Sequence, residues 1–436
     1  MIWSNPIVYP QSVEQGRGFR DPFFLKEGDC WYLTGTMYPH FEGDKGARER
    51  TRGVPLYRTR DFVHWELIDI ILKRPDPSEG KWYQNYFWAP ELFLYNGRYY
   101  LTVSCSRRGH YEKDAGVDGL QAVCLAVADR IEGPYQVLTE KEPLLIGNDA
   151  HLFRDEDGRV YLFASGIICA EIDLEHARLT GRPQQIVTPV AGSRAWNGQR
   201  DGVGFEGPYV IKRNGKYLLF YSTWARGYEI GIAESSADSP LTGWRLQKAP
   251  FYGAMNRESC RHYGAEYEEG YYAYNYREAG HNSVFLGPDG GDWIAAHVFE
   301  HGDGDDRIKL AIDRLQYEEG TACVRDQNGK LVNGPTHGRQ FIDSSHPPYA
   351  AACKALDTWA WCRIGESYKP PEKTELLFEN GWRKSCGVSW EGAADLSREG
   401  TSVINGSVFY EGTEYPCKLT VSVQKELPNR KETMQL

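Results

Sequence analysis

One unit recurs five times in this chain and limits what the chain can fold into. Each copy starts with a polar or acidic residue and runs into an apolar strand. It then turns at a glycine and returns as an aromatic-rich strand. Asp21 opens DPFFLKEGDCWYLTGT, Glu91 sits in APELFLYNGRYYLTVS, and Asp149 opens DAHLFRDEDGRVYLFAS. Glu206 opens EGPYVIKRNGKYLLFYS, and His281 opens HNSVFLGPDGGDWIAAHVF. The turns fall at Glu27-Gly28, Asn96-Gly97, Asp157-Gly158, Asn214-Gly215 and Asp289-Gly290. Asn-Gly and Asp-Gly favour the positive φ angles of type I′ turns, whose twist matches that of paired strands. A second hairpin follows most copies, as in GVPLYRTRDFVHWELI and IGIAESSADSPLTGWRLQ. Two hairpins make a four-stranded antiparallel sheet. Five such sheets at intervals of roughly 55–75 residues predict an all-β, five-bladed propeller. WD40 repeats are shorter, at about 40–45 residues, so the extra length here is expected to build a pocket rim. The segment from Pro6 to Pro10 is placed to complete the last blade.

The pattern changes after about Thr336. Residues 1–337 are assigned to the propeller. Residues 338–372, with Pro347, Pro348, Pro370 and Pro371, read as an irregular linker. Residues 373–436 read as a small β-sandwich with a polar tail.

Composition narrows the partners. The net charge is −10 and there is no Lys/Arg block. Phosphate binding needs clustered cations, so nucleic acid is not an expected partner. A neutral glycan suits this surface. The ten cysteines form no CxxC pair, and several lie in apolar strands, so free buried thiols are expected. No apolar run reaches the ~18 residues of a membrane span. The first residues, MIWSNPIVYPQ, lack a signal-peptide pattern. A cytoplasmic location is the expectation, or secretion if a signal has been trimmed. Oligomeric state is not legible.

In a propeller the first strand of every blade lines a central channel. The repeat therefore aims Asp21, Asp149, Glu206 and His281, with Glu91 or a neighbour, at one axis. Clustered carboxylates repel, which raises the pKa of at least one. Hydrolysis of a glycosidic bond needs such a set: a protonated acid and an ionised base. Arg20 is placed to help keep Asp21 ionised, and Phe205 to desolvate Glu206. Asp155-Glu156-Asp157 is read as an exposed hairpin tip. His297-Val-Phe-Glu300-His301 matches H-x-x-E-H, a zinc motif that works only on a helix. Here it continues an alternating strand, which splits the ligands between two faces.

GFRDPFFLKEGDCWYLTGT, WAPELFLYNGRYYLTVS, NDAHLFRDEDGRVYLF and FEGPYVIKRNGKYLLFYS, in this order, resemble glycoside hydrolase family 43. The resemblance covers most of residues 16–323. It implies Asp21 as general base, Glu206 as general acid, and Asp149 as the residue that tunes and orients the acid. It further implies Trp88 and Arg307 as sugar contacts, joined by Arg20. Trp224 and Tyr228 are candidates for the pocket rim. His281 is implied to hold water or Ca²⁺ at the channel centre, and His297 is similar to the family's last-blade histidine. No cofactor is required. The implied activity is inverting exo-hydrolysis of terminal α-L-arabinofuranosyl or β-D-xylosyl groups of plant-type oligosaccharides. A β-D-galactosidase of the same family and a non-catalytic glycan-binding propeller are the alternatives. VSWEGAADLSREGTSVINGSVFYEG resembles the bacterial Ig-like domain, group 4.

Overall fold

A computed structural model describes residues 1–7, 18–37, 51–108, 119–187, 205–223, 228–247, 251–253, 276–300, 308–342 and 351–427. The expected all-β propeller is present. Blade 1 is a four-stranded antiparallel sheet of Phe19–Glu27, Cys30–Met37, Gly53–Thr59 and Trp65–Lys73. Blade 2 repeats the order with Asn85–Tyr95, Arg98–Ser106, Ala122–Ala128 and Gln136–Val137. Blade 3 begins at His151–Arg154, Val160–Ala164 and Ile168–Asp173, with Arg178–Leu179 and Gln184–Gln185 both pairing its third strand. Blade 4 comprises Glu206–Arg213, Lys216–Thr223, Glu229–Ser235 and Arg245–Leu246.

Blade 5 has Tyr276–Leu286, Asp292–Glu300 and Lys309–Arg314. Its outer position is taken by the start of the chain. Ile7 bridges Leu310 in both directions, at 2.7 and 3.0 Å. Asn5 continues the pairing with its side chain, donating to the Ile312 carbonyl at 2.9 Å and accepting from the Ile312 amide at 3.2 Å. Blades pack through apolar faces that include Leu101, Phe220, Ile232 and Ile294, all fully buried. Burying side chains of this size contributes roughly 1.5–3 kcal/mol each.

A belt of side-chain-to-backbone hydrogen bonds joins the blades at one end of the channel. The Asp21 amide donates to His297 Nδ1 of blade 5 at 3.3 Å. The Ala89 amide donates to Thr36 of blade 1 (2.7 Å), and the Asp149 amide to Ser104 of blade 2 (2.9 Å). The Gly207 amide donates to Asp149 (3.2 Å), whose same oxygen accepts from Ser165 (2.8 Å). The His281 amide donates to Ser222 of blade 4 at 2.7 Å. All five donors have left-handed backbone: φ is 56° at Asp21, 45° at Ala89, 56° at Asp149, 53° at Gly207 and 46° at His281. Pairing registers slip beside these residues in blades 1, 2, 4 and 5. Such bulges turn a strand end and re-aim its side chains.

The stretch expected to be an irregular linker carries three strands. Gly338–Phe341 pairs Ile2–Asn5, Ala352–Ala355 pairs Lys373–Phe378, and Thr358–Arg363 runs parallel to Thr413–Gln424. Edge pairing to distant strands overrides the local proline signal. Arg383–Gly387, Ser389–Glu391 and Gly400–Tyr410 complete the two C-terminal sheets. This unit covers the propeller face where the hairpin turns lie. Arg154, wholly buried, binds Glu375, the Asp357 carbonyl, Thr358 (3.2 Å) and Thr374 (3.1 Å). Asn380 donates to the Gly290 carbonyl (2.8 Å), and Tyr95 to the Trp359 carbonyl (3.2 Å). A Cβ at Gly158 would lie 2.4 Å from the Asp357 carbonyl oxygen, so that turn tip must stay bare. The nine described cysteines are free, and seven of them are buried; Cys260 lies outside the described residues.

Candidate active site

The bulged strand ends of blades 1, 4 and 5, and the left-handed turn at Asp149 before the first strand of blade 3, bring Asp21, Asp149, Glu206 and His281 together at the belt end of the channel. Asp21 accepts from the Thr36 hydroxyl and faces His281 Nδ1 at 3.4 Å and His297 Nδ1 at 3.7 Å. Burial by itself would raise its carboxyl. His281, Arg20, His297 and Thr36 together outweigh burial, so the Asp21 pKa lies below its ordinary value. Asp149 is buried, with Ser165 and the Gly207 amide on one oxygen. Burial, and then the Asp21 charge, raise its pKa.

Glu206 is the next residue after the buried Phe205 and starts the first strand of blade 4. Burial, and then the Asp149 charge, push its pKa up to about 7. The Tyr228 hydroxyl bonds this carboxyl and opposes the rise. Tyr228 is almost fully buried. Its ring stacks on His297 with centroids 5.5 Å apart, and the Arg20 guanidinium lies 5.8 Å from its centroid. Gly280 provides the socket for that ring, because a Cβ there would lie 1.9 Å from Tyr228 Cε1. Gly207 is similarly confined, with its Cβ position 3.0 Å from the His281 ring.

Arg20 and His281 supply the positive charge. Burial opposes it, yet Asp21, Tyr228, Glu206 and Glu278 raise the Arg20 pKa further. His281 is also raised, because Asp21, Asp149, Glu91 and Glu206 outweigh its burial. Glu91 does not join the carboxylate cluster. It lies deeper in the channel and binds His151 Nδ1 at 2.7 Å. Trp88 is half-buried beside Tyr86, with ring centroids 4.5 Å apart. Trp224 and Arg307 lie outside the described residues, as does His301.

One expectation fails. Asp155 is not part of an exposed tip: it is buried, binding Lys212 (2.9 Å) and Tyr217 (2.5 Å). Its neighbours Glu156 and Asp157 are exposed as expected, and Glu156 meets Lys354 of the C-terminal unit. His297 lies on a strand, as the alternation predicts. The belt partners Thr36, Ser104, Ser165 and Ser222 were not singled out from sequence. Their signal is visible in hindsight. The return strands end YLTGT, YLTVS, YLFAS, YLLFYS and WIAAH, with a hydroxyl or imidazole at the matching place.

Similarity to known proteins agrees with this geometry. The profile of glycosyl hydrolases family 43 matches residues 13–322, and that of the bacterial Ig-like domain (group 4) matches residues 358–409. A xylan 1,3-beta-xylosidase of a Vibrio species is 27% identical over 242 residues, or 49% of this chain and 37% of that protein. A xylosidase/arabinosidase of Butyrivibrio fibrisolvens is 26% identical over 53% of this chain and 41% of its own length. The chain thus spans about two fifths of these two curated relatives. An extracellular exo-alpha-(1->5)-L-arabinofuranosidase of Cellvibrio japonicus is 24% identical over 65% of this chain and 79% of that protein. The crystal structure of a thermostable family-43 glycoside hydrolase superposes with a TM-score of 0.56 at 25% identity, over 78% of this chain and all of that one. With more than half of its length matched by the family profile, this chain belongs to glycosyl hydrolases family 43.

Proposed function

We propose that the protein is an inverting exo-glycosidase that removes terminal α-L-arabinofuranosyl or β-D-xylosyl groups from plant-type oligosaccharides. The observation that carries the mechanism is the divergence of two carboxyls in one site: Asp21 is held low, while Glu206 is pushed up to about 7. Such divergence supports Asp21 as the base and Glu206 as the acid. Glu206 gives its proton to the glycosidic oxygen as the bond to the anomeric carbon breaks. Asp21 takes a proton from a water that attacks the same carbon from the opposite face. The sugar leaves with inverted configuration, and solvent then resets both carboxyls. Asp149 keeps Glu206 protonated through its charge and is tied to the acid's strand through the Gly207 amide. Water must fit between base and sugar, so the two carboxyls are expected roughly 6.5–9.5 Å apart.

The sugar assignment rests on likeness to the xylosidase and arabinofuranosidase relatives. Arg20 and Trp88 are proposed to contact the terminal sugar; for Trp224 and Arg307 that proposal rests on sequence alone. Ca²⁺ at His281 fits poorly. Calcium takes six to eight oxygen ligands, and among the described residues no group of three His, Cys, Asp or Glu side chains could hold a metal ion.

Glu206→Gln tests the assignment. Turnover of an arabinoside or xyloside with a poor leaving group should fall about 10²–10⁴-fold, the usual contribution of a general acid, with the fold unchanged by circular dichroism. Activity retained at wild-type level would remove Glu206 from the role. Proton NMR of the first product reads the stereochemistry, and retention of configuration would refute inversion. Silence of the wild type across arabinofuranosides, xylosides and galactosides would favour a binding protein.

A further inference from the structure

The other end of the channel holds a cavity of about 220 Å³ that the proposed chemistry does not use. It runs from the Glu91–His151 pair down to the C-terminal unit, where Trp382 and Arg383 close it. Its volume equals about seven waters at ~30 Å³ each.

Most cations around this cavity are held by a partner group, and Asp155 and Glu156 act on Arg383 only from beyond ion-pair distance. Arg154 is matched by Glu375, and Lys212 by Asp155. Arg213 grips Asp292 through two bonds of 2.6 Å. Lys26 lies over the Trp31 ring at 4.0 Å and donates to the Gly28 carbonyl. Arg383 has no such match. Its one hydrogen bond among the described residues runs from Nη2 to the Arg154 carbonyl at 2.8 Å, and it makes no ion pair there. Burial, and then the nearby Arg213 charge, depress its pKa to about 10. A guanidinium carries five donors in a planar fork. Arg383 is half-buried and none of its guanidinium nitrogens is a buried atom lacking a partner, so its remaining N–H groups reach open space at the cavity and are available to a ligand oxygen.

We propose that this cavity is a binding site for a small oxyanion, held by the Arg383 fork at the joint between the C-terminal unit and the propeller. The ligand class is a single carboxylate or phosphate group on a body no larger than one sugar. Arg–oxyanion pairs are commonly bidentate and about twice as strong as neutral hydrogen bonds. Arg383 is also held to blade 3 through the Arg154 carbonyl. An anion seated on Arg383 therefore couples the two units and stabilises the folded chain by mass action. Inorganic phosphate and an acidic sugar such as glucuronate share this chemistry. The proposal does not depend on the catalytic assignment above.

The test uses the full chain at constant ionic strength, with sodium chloride as background. Thermal unfolding is followed against sodium phosphate and, separately, sodium glucuronate, with glucose as the neutral control. The wild-type midpoint should climb by a few degrees and saturate with at least one anion. Whichever anion saturates at lower concentration identifies the source. Arg383→Met should abolish the climb, and Arg383→Lys should keep part of it. Equal climbs in wild type and Arg383→Met, or none in the wild type, would overturn the site. If Arg383→Met does not fold, the wild type is treated with phenylglyoxal and Arg383 modification is read by peptide mass spectrometry. Saturable protection by the anion supports the site, and unprotected modification overturns it.

Discussion

The two ends of the channel are built on opposite principles. At the belt end, three carboxyls crowd within one buried site, and five left-handed residues turn the strand ends, four of them beside bulges. Polar groups there are aimed, and burial and neighbouring charges shift their ionisation away from the ordinary. At the hairpin end, the first strands finish in tight turns and regular pairing. Arg154, Lys212 and Arg213 are each neutralised by a carboxylate. The C-terminal unit lies on that face, so the same strands are anchored at one end and strained at the other. Conformational strain gathers where a surrounding structure can over-determine it. The hairpin end therefore bears on stability and the belt end on rate and pH response.

The largest expected effect breaks the anchor. Glu375→Ala leaves the Arg154 guanidinium buried and unpaired. Removing one partner of a buried ion pair costs about 3–5 kcal/mol, to be read from denaturant unfolding. The alkaline limb of the pH–rate profile should stay in place. A loss below about 1 kcal/mol, the scale of an exposed pair, or a displaced limb would show that the two ends are not separate in role.

Gly280→Ala acts at the opposite end and should be milder in stability. Its methyl group would collide with the Tyr228 ring. Overpacking of this kind costs roughly 1–3 kcal/mol. Because Tyr228 bonds Glu206, kcat should fall as well. Unchanged kcat in a destabilised protein would assign Tyr228 to packing alone.

The smallest effect concerns protons. Glu206 binds its proton more tightly when folded, with a pKa near 7 against an ordinary 4.5. Its contribution to stability is therefore full below the ordinary value and is lost as pH rises through about 7. With Glu206 as the proposed acid, activity requires its protonated form, and the alkaline limb should also centre near 7. The Tyr228 hydroxyl favours the ionised form, so Tyr228→Phe should move that limb upward. A limb that moves down, or not at all, would remove the hydrogen bond from the account.

Blade count, blade order and the convergence of Asp21, Asp149, Glu206 and His281 were legible in the sequence. They follow from a local repeat with a turn glycine in each copy. The belt was harder to read because each of its backbone-amide bonds joins different blades: Ala89 meets Thr36 across 53 positions, and Asp21 meets His297 across 276. The docking face was invisible for the same reason, since Arg154 and Glu375 are 221 positions apart. Asp155 misled because an acid beside a turn glycine usually faces water, whereas here Lys212 and Tyr217 reach over it. Ala352–Ala355 and Thr358–Arg363 lie between two pairs of prolines and form strands only because distant partners receive them.

The bridge between Ile7 and Leu310 has a consequence in time. During synthesis the first residues emerge long before the strand that receives them. Contacts of such large sequence separation form late and slow the folding of β-proteins. Until blade 5 exists, the ring is an open arc whose terminal strands have unpaired edges, the state most prone to pairing with another chain. Closing the ring pairs those edges and removes the hazard they present to neighbouring chains.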